Sequence, residues 1–373
     1  RKAIPSIDVR SVRDDARSPR VRVAVPGPDR RAALVSAGLL DGVAWVGPFV
    51  EPRLHNDESI GPMQANAATG TPIWDRDITG TGQIVAISDS GLDRNESWFT
   101  RYDNGSGVVN MLTDADSPIP PAVGATWPMR KVYGYWVQPG ATGYDNNADC
   151  GGGPTGYHGT HVVGTVAGDR GATATPTEPA HDAGGDDGMA PNAQILFQDI
   201  GNDTTGCLSG LSNLRATIAQ ASAGGAHLSN NSWGSSTAGA YAGNDVDVDA
   251  ATWDADDLLF VVSAGNDGPG ATSIGSPGNA KNALTVGATG HGNATTIAGF
   301  SSRGPTQDQR IKPDIVGPGS AIVSAAGNAD NGPLEQPGST RTLSGTSMSA
   351  PTVTGAAALL RQYFEDGWYP RGA

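Results

Sequence analysis

The chain has 373 residues, enough for one large domain with a small appendage, or for two domains. Its formal net charge of -14 argues against a nucleic-acid binder, whose surface would carry a basic face. No apolar run approaches the roughly 18 residues that suggest a membrane span, and 53 glycines with 37% hydrophobic residues suit a compact, loop-rich fold better than a helical bundle.

In chain order, residues 1–55 read as a unit of their own. "VRVAVPG" (21–27) predicts a strand, "PDRRAALVSAGLL" (28–40) a helix and "GVAWVG" (42–47) a second strand, together a small α+β segment. From "TGQIVAISDSG" onward the pattern changes. "QIVAIS", "AQILFQDI", "AHLSNNSW", "LLFVVSAG" and "ALTVGAT" are short apolar runs of the kind buried on both faces of a parallel sheet. Helices are predicted at 158–168, 210–223, 245–257 and 347–364. The alternation predicts an α/β fold, a doubly wound and mostly parallel sheet flanked by helices. Reactive groups in such folds collect at the carboxyl ends of the strands. Segments 100–157 and 169–188, rich in Gly, Asp, Asn and Pro, read as loops or insertions.

Four places carry candidate chemistry. Asp89 ends the strand "QIVAIS", at the reactive edge, although an acid there also serves as a cap or turn residue. "YHGTHVVGTVAG" holds His158 and His161, which read as a general base, a metal pair or two ordinary buried histidines. Only one of them can serve a nucleophile, and His158, at the helix start, is the choice. Asn266 follows a buried strand, where its amide either donates into a site or makes a turn. Ser347 opens the helix of "LSGTSMSAPTV", as a cap or as a nucleophile placed at the N-terminus.

Asp89, His158, Asn266 and Ser347 occur in the chain order of the subtilisin triad with its oxyanion residue. The chain resembles the subtilisin-like serine proteases (subtilases) from about residue 70 to 364. The matching motifs are "AISDSGLD", "HGTHVVGTVAG", "SNNSWG", "SAGNDG" and "SGTSMSAP", with "GMAPNAQI" and "FSSRGPT…IKPDIVGPG" in support. "NSWG" and "IKPD" look most like the oxidant-stable alkaline subgroup.

The resemblance implies a secreted serine endopeptidase acting through an acyl-enzyme. Ser347 would be the nucleophile, His158 the base, and Asp89 the residue that orients it. The Asn266 amide and the Ser347 N–H would hold the oxyanion. Ser232, Trp233 and Gly234 would pair with substrate and wall the first specificity pocket, opposite Ala264 and Gly265. Gly275 would floor it, leaving room for large apolar residues before the scissile bond. Residues 204–206 would offer a second edge to the substrate, and a cis bond is expected before Pro277. Cys150 and Cys207, which as a bare pair could equally be free thiols, are expected to form a disulfide.

Residues 1–55 are expected to be the remnant of a pro-segment that assists folding and blocks the cleft, or else an ordinary N-terminal extension. Cleavage would fall near "PRLHNDES" (52–59). Residues 56–373 would be the catalytic domain, shortened at its C-terminus relative to the family pattern. Chemistry needs no cofactor, while structural calcium is considered at 244–249 and 181–187, both acidic. The expected partners are protein or peptide substrates and the chain's own pro-segment, with no nucleic acid and no membrane. A monomer outside the cell is expected, with no signal peptide in this chain. Two other readings stand beside the peptidase: a catalytically silent binding protein that keeps the fold, and a metal-dependent hydrolase using His158 and His161.

Overall fold

Alternate residues of the first buried strand pack on opposite faces of a sheet. In that strand, Ile84–Asp89, Val85 and Ile87 enter one core with the helices that carry the predicted base and nucleophile, and Ala86 enters the other. The neighbouring strand behaves alike, with Ile195 and Phe197 on one side and Leu196 on the other. This two-sided burial is why the strands read as continuous apolar runs. The computed structural model describes residues 8–13, 20–24, 35–37, 39, 60, 63–65, 70–103, 109–111, 122–145, 150, 156–170, 187–292, 295–328 and 339–368.

The strands are β1 (Asp8–Arg13), β2 (Arg20–Ala24), β3 (Ile84–Asp89), β4 (Arg101–Asp103), β5 (Val109–Met111), β6 (Val132–Val137) and β7 (Gln194–Asp199). They continue with β8 (Leu228–Asn231), β9 (Leu259–Ser263), β10 (Ala283–Thr289), β11 (Ile315–Pro318), β12 (Ile322–Ala325) and β13 (Thr340–Leu343). The helices are α1 (His158–Ala167), α2 (Leu214–Ala223), α3 (Gly243–Asp254) and α4 (Thr346–Glu365).

The chain divides into two compact units, Arg1–Arg53 and Leu54–Ala373. In the first, β1 and β2 pair antiparallel and residues 35–37 are helical. β2 lies in the predicted strand, and β1 was not read from the sequence. The predicted strand at 42–47 and the cleavage stretch at 52–59 lie outside the described residues.

The second unit is built on a seven-stranded sheet in the order β11-β10-β9-β8-β3-β7-β6, all pairs parallel. The fold is the predicted doubly wound α/β arrangement. α1 and α4 pack against each other on one face; α2 and α3 supply Leu214, Ile218 and Val248 to the core on the other. Strand order reverses around β3, which lies between β7 and β8, so a crevice forms at their carboxyl ends.

The loop reading of 100–157 needs correction. β6 lies inside the first segment and forms a sheet edge beside β7. Its run "VYGYWV" is short, interrupted by glycine and half-buried at Tyr133 and Val137, so its signal sinks into the turn-rich sequence around it. β4 and β5 form a small antiparallel pair in the same segment; in 169–188 the described residues, 169–170 and 187–188, belong to no helix or strand. Among the described residues no helix is long and apolar enough to cross a membrane.

Candidate active site

Asp89 is the last residue of β3 and is 2% exposed. Its Oδ1 accepts from the backbone N–H of Ser90 at 2.8 Å and lies 2.7 Å from His158 Nδ1. His158 is the first residue of α1, next to Tyr157, whose φ of 57° is in the left-handed region. That turn sets the imidazole at the mouth of the helix.

Ser347 is the second residue of α4. Its hydroxyl donates to the Ser232 carbonyl oxygen at 3.0 Å, and the Ser232 hydroxyl donates back to the Ser347 carbonyl at 2.9 Å. The second bond has a cause in the sequence. The Ser347 carbonyl would ordinarily accept from the residue four positions on, but that residue is Pro351, which has no N–H. Ser232 takes over the acceptor and thereby ties the end of β8 to the start of α4. Because β8 pairs with β3 in the register Ser88↔Asn231, Ser232 continues beside Asp89. Ser347 is thus tied to a residue that lies about one strand spacing, roughly 4.8 Å, from the strand that carries Asp89.

The orientation of Asn266 is determined by Thr346. The Thr346 backbone N–H donates to Asn266 Oδ1 at 2.9 Å, and its hydroxyl donates to the same oxygen at 3.0 Å. The Thr346 hydroxyl accepts in turn from the Gly265 N–H at 3.1 Å. A backbone N–H can only donate, so the amide oxygen faces Thr346 and the Asn266 NH2 faces away. Gly345 leaves space beside it: a Cβ at this position would lie 3.4 Å from Asn266 Nδ2 and 3.6 Å from the Ser347 nitrogen. Both donors border one small volume. The Ser347 N–H belongs to the first helical turn, where backbone donors lack intrahelical partners.

Around this centre the structure stitches together the residues assigned to substrate binding. Ser235 and Ser276 exchange backbone hydrogen bonds of 2.8 and 2.9 Å, which brings Gly234 beside the bend at Pro277. The Gly275 N–H donates to the Ala264 carbonyl at 3.1 Å. The bond before Pro277 is cis, as are those before Pro269, Pro305 and Pro313. Gly275 has a reason beside the one expected: a Cβ there would lie 2.7 Å from the Ser235 carbonyl oxygen, so close backbone approach also requires the glycine. Trp233 is buried, and its ring packs in the core with Phe260 and Val262. Residues 204–206 lie on a turn closed by the Asn202–Cys207 bridge. Cys150 and Cys207 are joined as a disulfide with Cα atoms 4.4 Å apart.

His161 does not share a site with His158. It is fully buried, and its Nε2 lies 3.1 Å from both the Ile322 and Arg341 carbonyls, to which it donates. It ties α1 to β12 and β13. Burial, with the charge of His158 as a smaller cause, lowers its pKa to about 3. Below the ordinary histidine value of 6.5, the unfolded chain takes up a proton that the folded chain refuses. Stability therefore falls as pH drops from about 6.5 toward about 3. Denaturant midpoints measured across that window, in a Ser347→Ala background to prevent self-digestion, should fall with pH. The fall should be shallower in a His161→Gln variant.

Two acids that sequence reasoning missed stand behind Asp89. Asp199 ends β7 opposite Asp89 in register; it accepts from the Tyr135 hydroxyl at 2.7 Å and from the Gly201 N–H at 3.0 Å. Burial pushes its pKa well above the carboxylate range. Asp145 is held in the same region by Ser90 and Thr160. An acid inside the apolar run "AQILFQDI" was the available signal for Asp199; Asp145 had none.

The acidic stretch 244–249 lies within α3, where Asp245 accepts from the Ala242 N–H at 2.7 Å in a helix cap. Residues 181–186 lie outside the described residues. Among the described residues no group of three or more His, Cys, Asp or Glu side chains is placed to hold a metal ion.

The family model of the subtilases matches residues 80–371. The serine protease/ABC transporter B family protein tagB of Dictyostelium discoideum is 29% identical over 379 residues, covering 79% of this chain and 18% of that protein. The serine protease AprX of Bacillus subtilis is 40% identical over 121 residues, covering 29% of this chain and 27% of AprX. The chain thus spans only a minor part of the length of these curated relatives. Two solved structures share its fold. Prenylagaramide maturation protease PagA has a TM-score of 0.51 at 24% identity, covering 79% of this chain and 80% of its own. Fervidolysin from Fervidobacterium pennivorans has a TM-score of 0.52 at 24% identity, covering 84% and 40%. The family match embraces the strand of Asp89 and the helices of His158 and Ser347, and on that ground the chain belongs to the subtilase family of serine proteases.

Proposed function

We propose that this chain is a serine endopeptidase that cleaves peptide bonds through an acyl-enzyme formed on Ser347. The observation that carries the reading is the 2.7 Å contact between Asp89 and His158, at the sheet edge where Ser347 opens α4. In this reading the Ser347 hydroxyl turns about one side-chain bond from the Ser232 carbonyl to His158. His158 takes its proton as the hydroxyl attacks the substrate carbonyl, then delivers it to the leaving amine. Asp89 holds the imidazole tautomer and supports the imidazolium. The oxyanion enters the space beside Gly345, where the Asn266 NH2 and the Ser347 N–H meet it; the helix dipole adds to the attraction.

Substrate would lie along Ser232, Trp233 and Gly234 on one side and Ala264 and Gly265 on the other, with residues 204–206 as a second edge. We assign the first pocket to large apolar residues; cleavage profiling with a peptide library should show Leu, Phe and Tyr enriched before the cut, and strict selection of Arg or Lys would refute it. Residues 1–55 act in this reading as a pro-segment, the chain works outside the cell as a monomer on protein substrates, and the Cys150–Cys207 disulfide braces the cleft. Calcium, if used, has a structural role.

The direct test is labelling with a fluorophosphonate, followed by mass spectrometry of the digest. The label is expected on Ser347 and should be lost in a His158→Ala variant. A folded and cleft-accessible sample that takes no label supports the alternative, a silent protein that keeps the subtilase fold.

A further inference from the structure

Asp145 takes no part in the chemistry described above, yet it holds a residue beside each member of the acid–base pair, Ser90 after Asp89 and Thr160 two after His158. It is 3% exposed. Its Oδ1 accepts from the Ser90 hydroxyl at 3.0 Å, and its Oδ2 accepts from the Thr160 N–H at 2.9 Å and the Thr160 hydroxyl at 2.7 Å. Ser90 directly follows Asp89, to whose carboxylate its N–H donates at 2.8 Å. The Ser90 hydroxyl also accepts from the N–H of Gly159, the residue after His158, at 3.0 Å. The Thr160 hydroxyl likewise accepts from the Asp93 N–H at 2.9 Å. These N–H groups can only donate, so the two hydroxyls turn their protons toward Asp145.

We propose that Asp145 is a positioning residue for the Asp89–His158 pair, a buried carboxylate that clamps the loop after the acid to the first turn of the helix that begins with the base. The proposal rests on the triad reading given above. The bond between acid and base depends on two backbones, the end of β3 and the start of α1, keeping their separation. Asp145 crosses that junction with three hydrogen bonds. An amide cannot replace it unchanged. Asparagine has one acceptor oxygen, which the fixed Thr160 N–H would claim, and its NH2 would face the Ser90 hydroxyl and reverse that link.

The ionisable groups around Asp145 are Asp89 on β3, Tyr135 on β6, Asp199 on β7 and, two residues before Thr160, His158 on α1. Burial first, with the charge of Asp89 as a smaller cause, raises its pKa to about 7, while its hydrogen bonds from Thr160 and Ser90 pull the other way. Its charge therefore changes in the range where a catalytic histidine works.

The experiment compares the full chain with Asp145→Asn and Ser90→Ala, by steady-state kinetics against pH on a peptide substrate. Fluorophosphonate labelling of the parent runs in parallel, and circular dichroism checks the fold. In Asp145→Asn we expect kcat to fall by up to about 10²-fold with KM unchanged, the penalty of slight misplacement of reacting groups. The acid limb of kcat/KM should move to lower pH, because a negative charge that favours the imidazolium is gone. Ser90→Ala, which removes the Ser90 bonds to Asp145 and to the Gly159 N–H but leaves the carboxylate and its two Thr160 bonds, should lower kcat less. It carries the test if Asp145→Asn fails to fold. A labelled, active parent whose folded variants keep its kcat and acid limb overturns this inference alone. A folded, cleft-accessible parent that neither labels nor cleaves overturns the triad reading and this inference with it.

Discussion

Ser347→Ala should lower kcat on a peptide substrate by about 10⁶-fold, a magnitude taken from subtilisin, a member of the same family. Its melting temperature should stay close to the parent's. The hydroxyl makes a single hydrogen bond, to the Ser232 carbonyl, at a half-buried position, so its loss costs about 1 kcal/mol. The bond from Ser232 to the Ser347 carbonyl uses backbone and survives the substitution. The neighbouring serines cannot substitute as nucleophiles. Ser349 is fully buried, its oxygen 2.6 Å from the Gly287 carbonyl and 2.8 Å from that of Gly317. Ser344 accepts from the Ala321 N–H, outside α4. Parent-like hydrolysis by purified Ser347→Ala would remove the nucleophile assignment.

Gly159→Ala should be severe for a steric reason. A Cβ at this helical position would lie 2.0 Å from the Gly91 carbonyl oxygen, which is backbone and cannot swing aside. The clash forces α1 away from the loop after β3, along the line that joins His158 to Asp89. Overpacking of this kind costs about 3 kcal/mol or more. That corresponds to a fall in melting temperature on the order of 5–10 °C. Activity should fall further than stability accounts for, because the same displacement lengthens the acid–base contact. Thermal melts in the Ser347→Ala background, with kinetics in the active chain, would measure the two effects separately. Parent-like values in both would mean that α1 can shift without disturbing the pair.

Met348 follows Ser347 in sequence, and its position adds to this picture. It is 1% exposed and packs in the core between α4 and the sheet.

Several features were legible because a local cause wrote them locally. Strands buried on both faces must be apolar throughout, which made β3, β7, β8, β9 and β10 readable. A helix that starts with small residues after Gly-Thr announced α4 within two residues. The motifs placed Asp89 at a strand end, His158 and Ser347 at helix starts and Asn266 after a buried strand, and the structure has Asp89 ending β3, His158 and Ser347 opening α1 and α4, and Asn266 in the loop after β9. Edge strands were less legible. β6 and β11 bury fewer positions, and β11 carries exposed Ile315 and Val316, so neither shows the signature of the central strands.

What the sequence determined alone was therefore the class of fold and the family, and it named the candidate side chains, since each depends on short-range pattern and residue chemistry. What only the tertiary structure decided was how those side chains are held. Thr346 orients the Asn266 amide across 80 residues, and Ser232 satisfies the carbonyl that Pro351 abandons across 115. His161, three residues from His158, is shut away between two carbonyls. Asp145 and Asp199 stand behind Asp89 although 110 residues separate β3 from the Gln198 that neighbours it on β7. Hydrogen bonds act over about 3 Å of space and are indifferent to distance along the chain, so their partners become visible only once the sheet has brought them together.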